Sequence, residues 1–164
     1  MVDDIIEELT GGFSVVPVEA SAIRLGVALL LGAVIGVERE ASRKPAGLRT
    51  HMLISMAACL FILVSQNLAT LQFGDRETMR VDPLRLVEAV TAGVAFLGAG
   101  TIFASGGRVK NVTTGASMWL AGAIGLACGA GQEALAALAT VLVVTILMLL
   151  GWLEKRMGWR DVDD

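Results

Sequence analysis

Glu88 stands in an apolar stretch that follows Asp82, with Arg85 three residues before it. A carboxylate one turn inside a membrane span is costly unless paired or hydrated, which makes it a functional candidate by default. Arg85 shares its helix face and could pair with it; the alternative is an interfacial Glu at headgroup depth. A second group, Glu38 and Arg39, closes an earlier apolar run and leads into a short basic loop with Arg43, Lys44, Arg49 and Thr50. Glu38 could pair with Arg49 across that loop. A third group follows a basic turn bearing Arg108 and Lys110: Thr113 and Thr114 reopen a helix, where a Thr can cap orphan N–H groups, and Trp119 lies about one and a half turns further on.

Magnesium takes one or two carboxylates and several waters. Asp82 with Glu88, or Glu38 with Glu40, could supply them, but neighbouring carboxylates are common and no metal ligand is assigned. The single histidine, His51, has no second His or Cys near it in the sequence, which argues against zinc. No nucleophile and base stand at recognisable spacing, and no GxxxxGK loop is present. The expectation is therefore a protein that is not an enzyme and carries no cofactor. Two helix N-termini beside Arg39, Lys44, Arg49 and Lys110 could hold an anion such as a phosphate or a lipid headgroup. The alternative is that these cations only orient the protein and touch anionic lipid.

These groups are punctuation between apolar runs. With 164 residues, 55% of them hydrophobic, and only 18% charged, the composition is that of a polytopic membrane protein. The expected fold class is all-α, with about five transmembrane helices over residues 20–153: Ala20 to about Glu38, Thr50 to about Leu71, Leu84 to Phe103, Val112 to Cys128 and Ala134 to Leu153. For the first span to start near Ala20, Arg24 must snorkel to the headgroups. Residues 1–19 are acidic and lack the positively charged start and apolar core of a secretory signal; Val2, Ile5, Ile6 and Leu9 have the spacing of an amphipathic surface segment, with disorder as the alternative. Residues 154–164 form a short tail. Nine Lys and Arg fall on the side of the first loop, the third turn and the tail, against four on the other, which puts the N-terminus outside and the C-terminus in the cytoplasm. Cys59 and Cys128 lie within apolar runs and read as packing residues.

Glycine sets the packing. Gly32 and Gly36 line one face of the first span, Gly125 and Gly129 one face of the fourth, and Gly93, Gly98 and Gly100 lie in the third. Small residues let membrane helices approach closely, and two such faces exceed the needs of one small bundle, so a second copy or another membrane protein is the expected partner alongside the lipid bilayer. No nucleic-acid partner is expected. Leu48 to Ala58 and Val112 to Gly122 each follow a basic turn, open a span and carry Thr at the third position, Thr50 and Thr114. They suggest a parallel repeat of two-helix hairpins about an axis along the membrane normal, with the second and fourth helix N-termini side by side.

Four stretches in order, GAVIGVERE (Gly32 to Glu40), AGLRTHML (Ala46 to Leu53), GVAFLGAGTI (Gly93 to Ile102) and VTTGASMW (Val112 to Trp119), resemble the MgtC/SapB membrane proteins. Glu38, Arg39, Arg49, Thr50, Phe96, Gly98, Gly100, Thr113, Thr114 and Trp119 match that pattern. Ala95 stands where the family usually has Gly, and Ala89 where it often has Gln. The resemblance implies a multi-spanning inner-membrane protein linked to growth under magnesium limitation and, in some pathogens, to survival in host cells. It implies a regulator of other membrane machinery, including the proton-driven ATP synthase, more than a magnesium transporter. It also implies a soluble ACT-like C-terminal domain, and with only about ten residues after the fifth span the expectation is a chain without that domain. Two functions follow as expectations: a non-enzymatic modulator, or an oligomeric ion transporter or channel built around Glu88.

Overall fold

A computed structural model describes residues 15–69, 82–105 and 107–158. The amphipathic segment expected near the N-terminus, the polar loop through residue 81 and the end of the tail lie outside them. Among the described residues there are five helices long and apolar enough to cross a membrane. They are α1 (Val18–Ala41), α2 (Leu48–Leu68), α3 (Pro83–Thr101), α4 (Val112–Gly129) and α5 (Glu133–Met157). The all-α reading holds, with one addition at the third connection. Where the sequence suggested a plain basic turn, β1 (Phe103–Ser105) and β2 (Arg108–Lys110) pair antiparallel, with Phe103 opposite Lys110 and Ser105 opposite Arg108.

The helix ends follow from local chemistry. Asp82 caps α3 by accepting the Leu84 N–H at 3.0 Å, with Pro83 at the first helical position. α4 ends in a Schellman turn: the Gln132 N–H reaches the Ala127 carbonyl at 2.8 Å and the Gly131 N–H reaches Cys128 at 2.9 Å, while Gly131 takes φ +77. The same turn closes α1 through Lys44 and Arg43, but there the left-handed position is filled by Arg43 at φ 53. α1 begins at Val18, directly after Pro17, two residues earlier than expected.

α1 and α2 form one antiparallel hairpin and α3 and α4 another. Gly32 lies under the His51 carbonyl and Ser55, and Gly36 under Leu48, so the first hairpin runs backbone against backbone. In the second, Gly98 meets Gly115 and Gly122 meets Val94. The hairpins join through α2 and α4, which run parallel: His51 contacts Ser117, Ser55 faces Gly125 and Cys59 faces Gly129. The expectation of neighbouring N-termini for these two helices is met. α5 packs on α1 and α4 with Ala136, Thr140 and Val143, one stripe of its surface. The core gathers Ala28, Ile35, Cys59, Leu63, Ile124 and Cys128, and both cysteines are free and wholly buried, as packing residues.

Burial is uneven. In the most apolar stretch of α4, 56% of residues are buried inside the chain, against 6% in α3. Gly32, Gly36, Gly125 and Gly129 are therefore spent on contacts within one molecule, and the surplus of packing faces read from the sequence does not exist. A close-packing face predicts a near neighbour; it does not say which one. Gly93 and Gly100 differ, since a Cβ added at either would meet nothing within 4 Å.

Candidate functional site

The end of the bundle that carries residues 42–47, 102–105 and 107–111 holds most of the buried polar chemistry among the described residues. His51, in the first turn of α2, is wholly buried. Its Nδ1 lies 2.9 Å from the Gly47 carbonyl and its Nε2 lies 3.0 Å from Ser117 Oγ on α4. Ser117 is also 2.9 Å from the Thr114 carbonyl. One turn deeper, Ser55 Oγ donates to the Ala28 carbonyl of α1 at 2.7 Å. A buried polar group without a partner is costly in a bilayer, so these bonds fix which residues of α1, α2 and α4 can face one another.

Arg39 is 4% exposed, which is unusual for a cation at a helix end. Its Nε donates to Glu38 Oε2, while Ser42 Oγ donates to the other oxygen of Glu38 at 2.9 Å. Glu38 thus pairs with its neighbour and not with Arg49, which is exposed in the first turn of α2. The neighbouring guanidinium meets the carboxylate without the loop having to fold back. Glu40 turns the other way and accepts the Leu48 N–H at 3.1 Å, which satisfies the first N–H of α2.

The N-terminus of α4 is not closed in this way. Thr113 and Thr114, the residues expected to cap it, both fall inside the first turn; the cap position is Asn111, in a left-handed conformation at φ 65 and without a side-chain cap bond. The Asn111 amide instead donates to the Thr101 carbonyl at 3.0 Å, holding α3 to α4. A cavity of about 690 Å³ opens beside this end, between α1, β2, α4 and α5. Glu38, Arg39, Ser42, Lys44, Asn111, Thr113, Thr114 and Glu154 supply its polar lining; Val34, Val37, Leu147 and Leu150 are part of its apolar wall.

A second polar cluster, unforeseen as such, sits at the opposite end. Arg24 Nη1 donates to the Gly129 carbonyl at 3.0 Å, and Gln66 Nε2 donates to the same carbonyl at 3.2 Å. Arg24 also lies 3.7 Å from Glu133. A cation on the C-terminal carbonyls of α4 is favoured by the helix dipole, which is why Arg24 bonds there in place of headgroups.

The remaining residues singled out by sequence are dispersed. Glu88 and Arg85 are both exposed on α3 and form no ion pair with each other. Asp82 is occupied as a cap, Thr50 is half-buried, and Trp119 is partly exposed. Among the described residues no group of three or more His, Cys, Asp or Glu could hold a metal ion. Sequence reasoning misses His51, Ser55 and Ser117; the signal for them is a histidine inside an apolar run with a serine one turn on.

A profile of the MgtC family matches residues 25–156. Protein SapB of Bacillus subtilis (strain 168) is 40% identical over 139 residues, 83% of this chain and 59% of its own length. Protein MgtC of Brucella abortus (strain 2308) is 38% identical over 134 residues, 82% of this chain and 52% of its own. Protein MgtC of Salmonella choleraesuis (strain SC-B67) is 37% identical over 140 residues, 85% and 56% respectively. The chain thus spans little more than half the length of these curated relatives. No solved structure matches it.

Proposed function

The chain belongs to the MgtC family, and from that premise we propose that it is a non-enzymatic, multi-pass protein of the bacterial inner membrane that modulates other membrane machinery during adaptation to low magnesium. Its basic connections would face the cytoplasm, where Arg43, Lys44, Arg49, Arg108 and Lys110 obey the positive-inside tendency.

The observation that carries the modulating role is the outer helix α3. Phe96 is 80% exposed and stands between Gly93 and Gly100, beside which there is open space. An aromatic flanked by small residues on a helix with so little burial is suited to close contact with another membrane helix. The partner in this reading is a second copy or a different membrane protein.

The experiment compares the whole chain with Gly93→Leu in membranes, reading association by co-purification and cross-linking, and magnesium and proton flux in vesicles. The proposal expects no flux above empty vesicles and loss of association in Gly93→Leu with helicity and melting unchanged. Flux that disappears in Glu88→Gln would instead support an ion transporter or channel and end the modulator reading.

A further inference from the structure

The cavity beside α4 combines features that the modulating role does not use. The N–H groups of Val112, Thr113 and Thr114 precede the first intrahelical bond, from the Gly115 N–H to the Asn111 carbonyl at 3.0 Å, so they have no helical acceptor. Residues 112–114 all line the cavity. Thr114 is only 1% exposed, yet its hydroxyl makes no hydrogen bond among the described residues. A buried hydroxyl without a protein partner in a cavity wall is a donor suited to a ligand's acceptor. Arg39, almost as deeply buried, lines the same cavity. Orphan N–H donors, a hydroxyl, the positive end of a helix dipole and a guanidinium together are the requirements of a phosphate.

The rest of the lining says what the phosphate is attached to. Val34, Val37, Leu147 and Leu150 make a wall too apolar for a free ion. Charges on the lining are balanced, with Arg39 and Lys44 against Glu38 and Glu154. A bare dianion would meet carboxylates as well as cations, whereas a head with both signs finds a partner for each. Trp152 also lines the cavity, and indole is favoured at headgroup depth.

We propose that this cavity seats one zwitterionic phospholipid, its phosphate on the open N-terminus of α4 at Thr113 and Thr114 beside Arg39, its ammonium toward Glu154, and an acyl chain along Val37 and Leu147. The site stands independently of the magnesium role.

The test uses the whole chain in detergent and native mass spectrometry with dioleoyl phosphatidylethanolamine or dioleoyl phosphatidylglycerol, which share acyl chains and differ in head. The expected result is one phosphatidylethanolamine retained, several-fold more tightly than phosphatidylglycerol. Thr114→Val, nearly isosteric, weakens that binding about tenfold with unchanged helicity and melting. Val37→Trp, at an exposed lining position, abolishes it, and Glu154→Gln removes the preference between the two heads. Equal retention of both lipids, Thr114→Val binding like the parent, or inorganic phosphate displacing the lipid and binding alone would each overturn the proposal.

Discussion

His51 Nε2 and Ser117 Oγ, 66 positions apart in sequence, meet at 3.0 Å between two parallel helices. The Gly47 carbonyl can only accept, so Nδ1 carries a hydrogen. The single Ser117 proton then decides the rest. Given to Nε2, it leaves the imidazole neutral; given to the Thr114 carbonyl, it requires Nε2 to donate and the ring to be charged. Either way every polar atom of the pair is used.

Breaking this contact should cost stability. Ser117→Ala is expected to lose about 1 kcal/mol, and His51→Leu about 2–3 kcal/mol because Gly47 and Ser117 both lose a partner. Thermal melts of the two single variants and the double variant in detergent give the coupling energy; additivity would show that the pair is not a contact.

Glycine substitutions should divide by location. A Cβ at Gly125 would collide with the Ser55 carbonyl oxygen, which is backbone and cannot move aside. Gly125→Ala is therefore expected to destabilise by about 3 kcal/mol or to prevent folding. Gly93→Ala enters open space and should be neutral or stabilising by about 0.5–1 kcal/mol. Melting temperature and yield after extraction separate the two.

The left-handed residue after α1 offers a gain. Arg43 holds φ 53 where glycine is favoured, at a cost of about 1 kcal/mol. Arg43→Gly should raise the melting temperature by a few degrees in thermal melts, and an unchanged or lower midpoint would show that the left-handed position is not strained.

At the other end, Arg24 and Glu133 are unequal partners. Their separation is 3.7 Å with side chains 22% and 35% exposed, so the ion pair contributes under about 1 kcal/mol. The bond from Arg24 to the Gly129 carbonyl stabilises more, because it satisfies a helix-end acceptor with a charged donor. Arg24→Gln should cost about 2 kcal/mol and Glu133→Gln less than about 0.5 kcal/mol in equilibrium unfolding.

Spans and connections were legible because lipid demands long uncharged runs, and the charges that interrupt them mark the ends. Asp82 before Pro83 and Gly131 after α4 carry their capping roles in their residue types. Other features had no local signature. Gly32 and Gly125 announce a close approach, but only three-dimensional packing says that both approaches are to α2. Ser117 looks like one more small residue in a small-residue helix until His51 is set against it. Glu38 and Arg49 match by charge across a loop, whereas the shorter reach to Arg39 prevails.

The union of α2 with α4 has a consequence for how the chain is made. As α1 and α2 leave the ribosome, Ser55 can bond at once to the Ala28 carbonyl, and His51 to Gly47. Nε2 of His51 has no protein acceptor or donor until Ser117 has been synthesised and inserted. The contact that sets α2 against α4 can therefore form only once the second hairpin is present, whereas the bonds that hold the first hairpin are all internal to it.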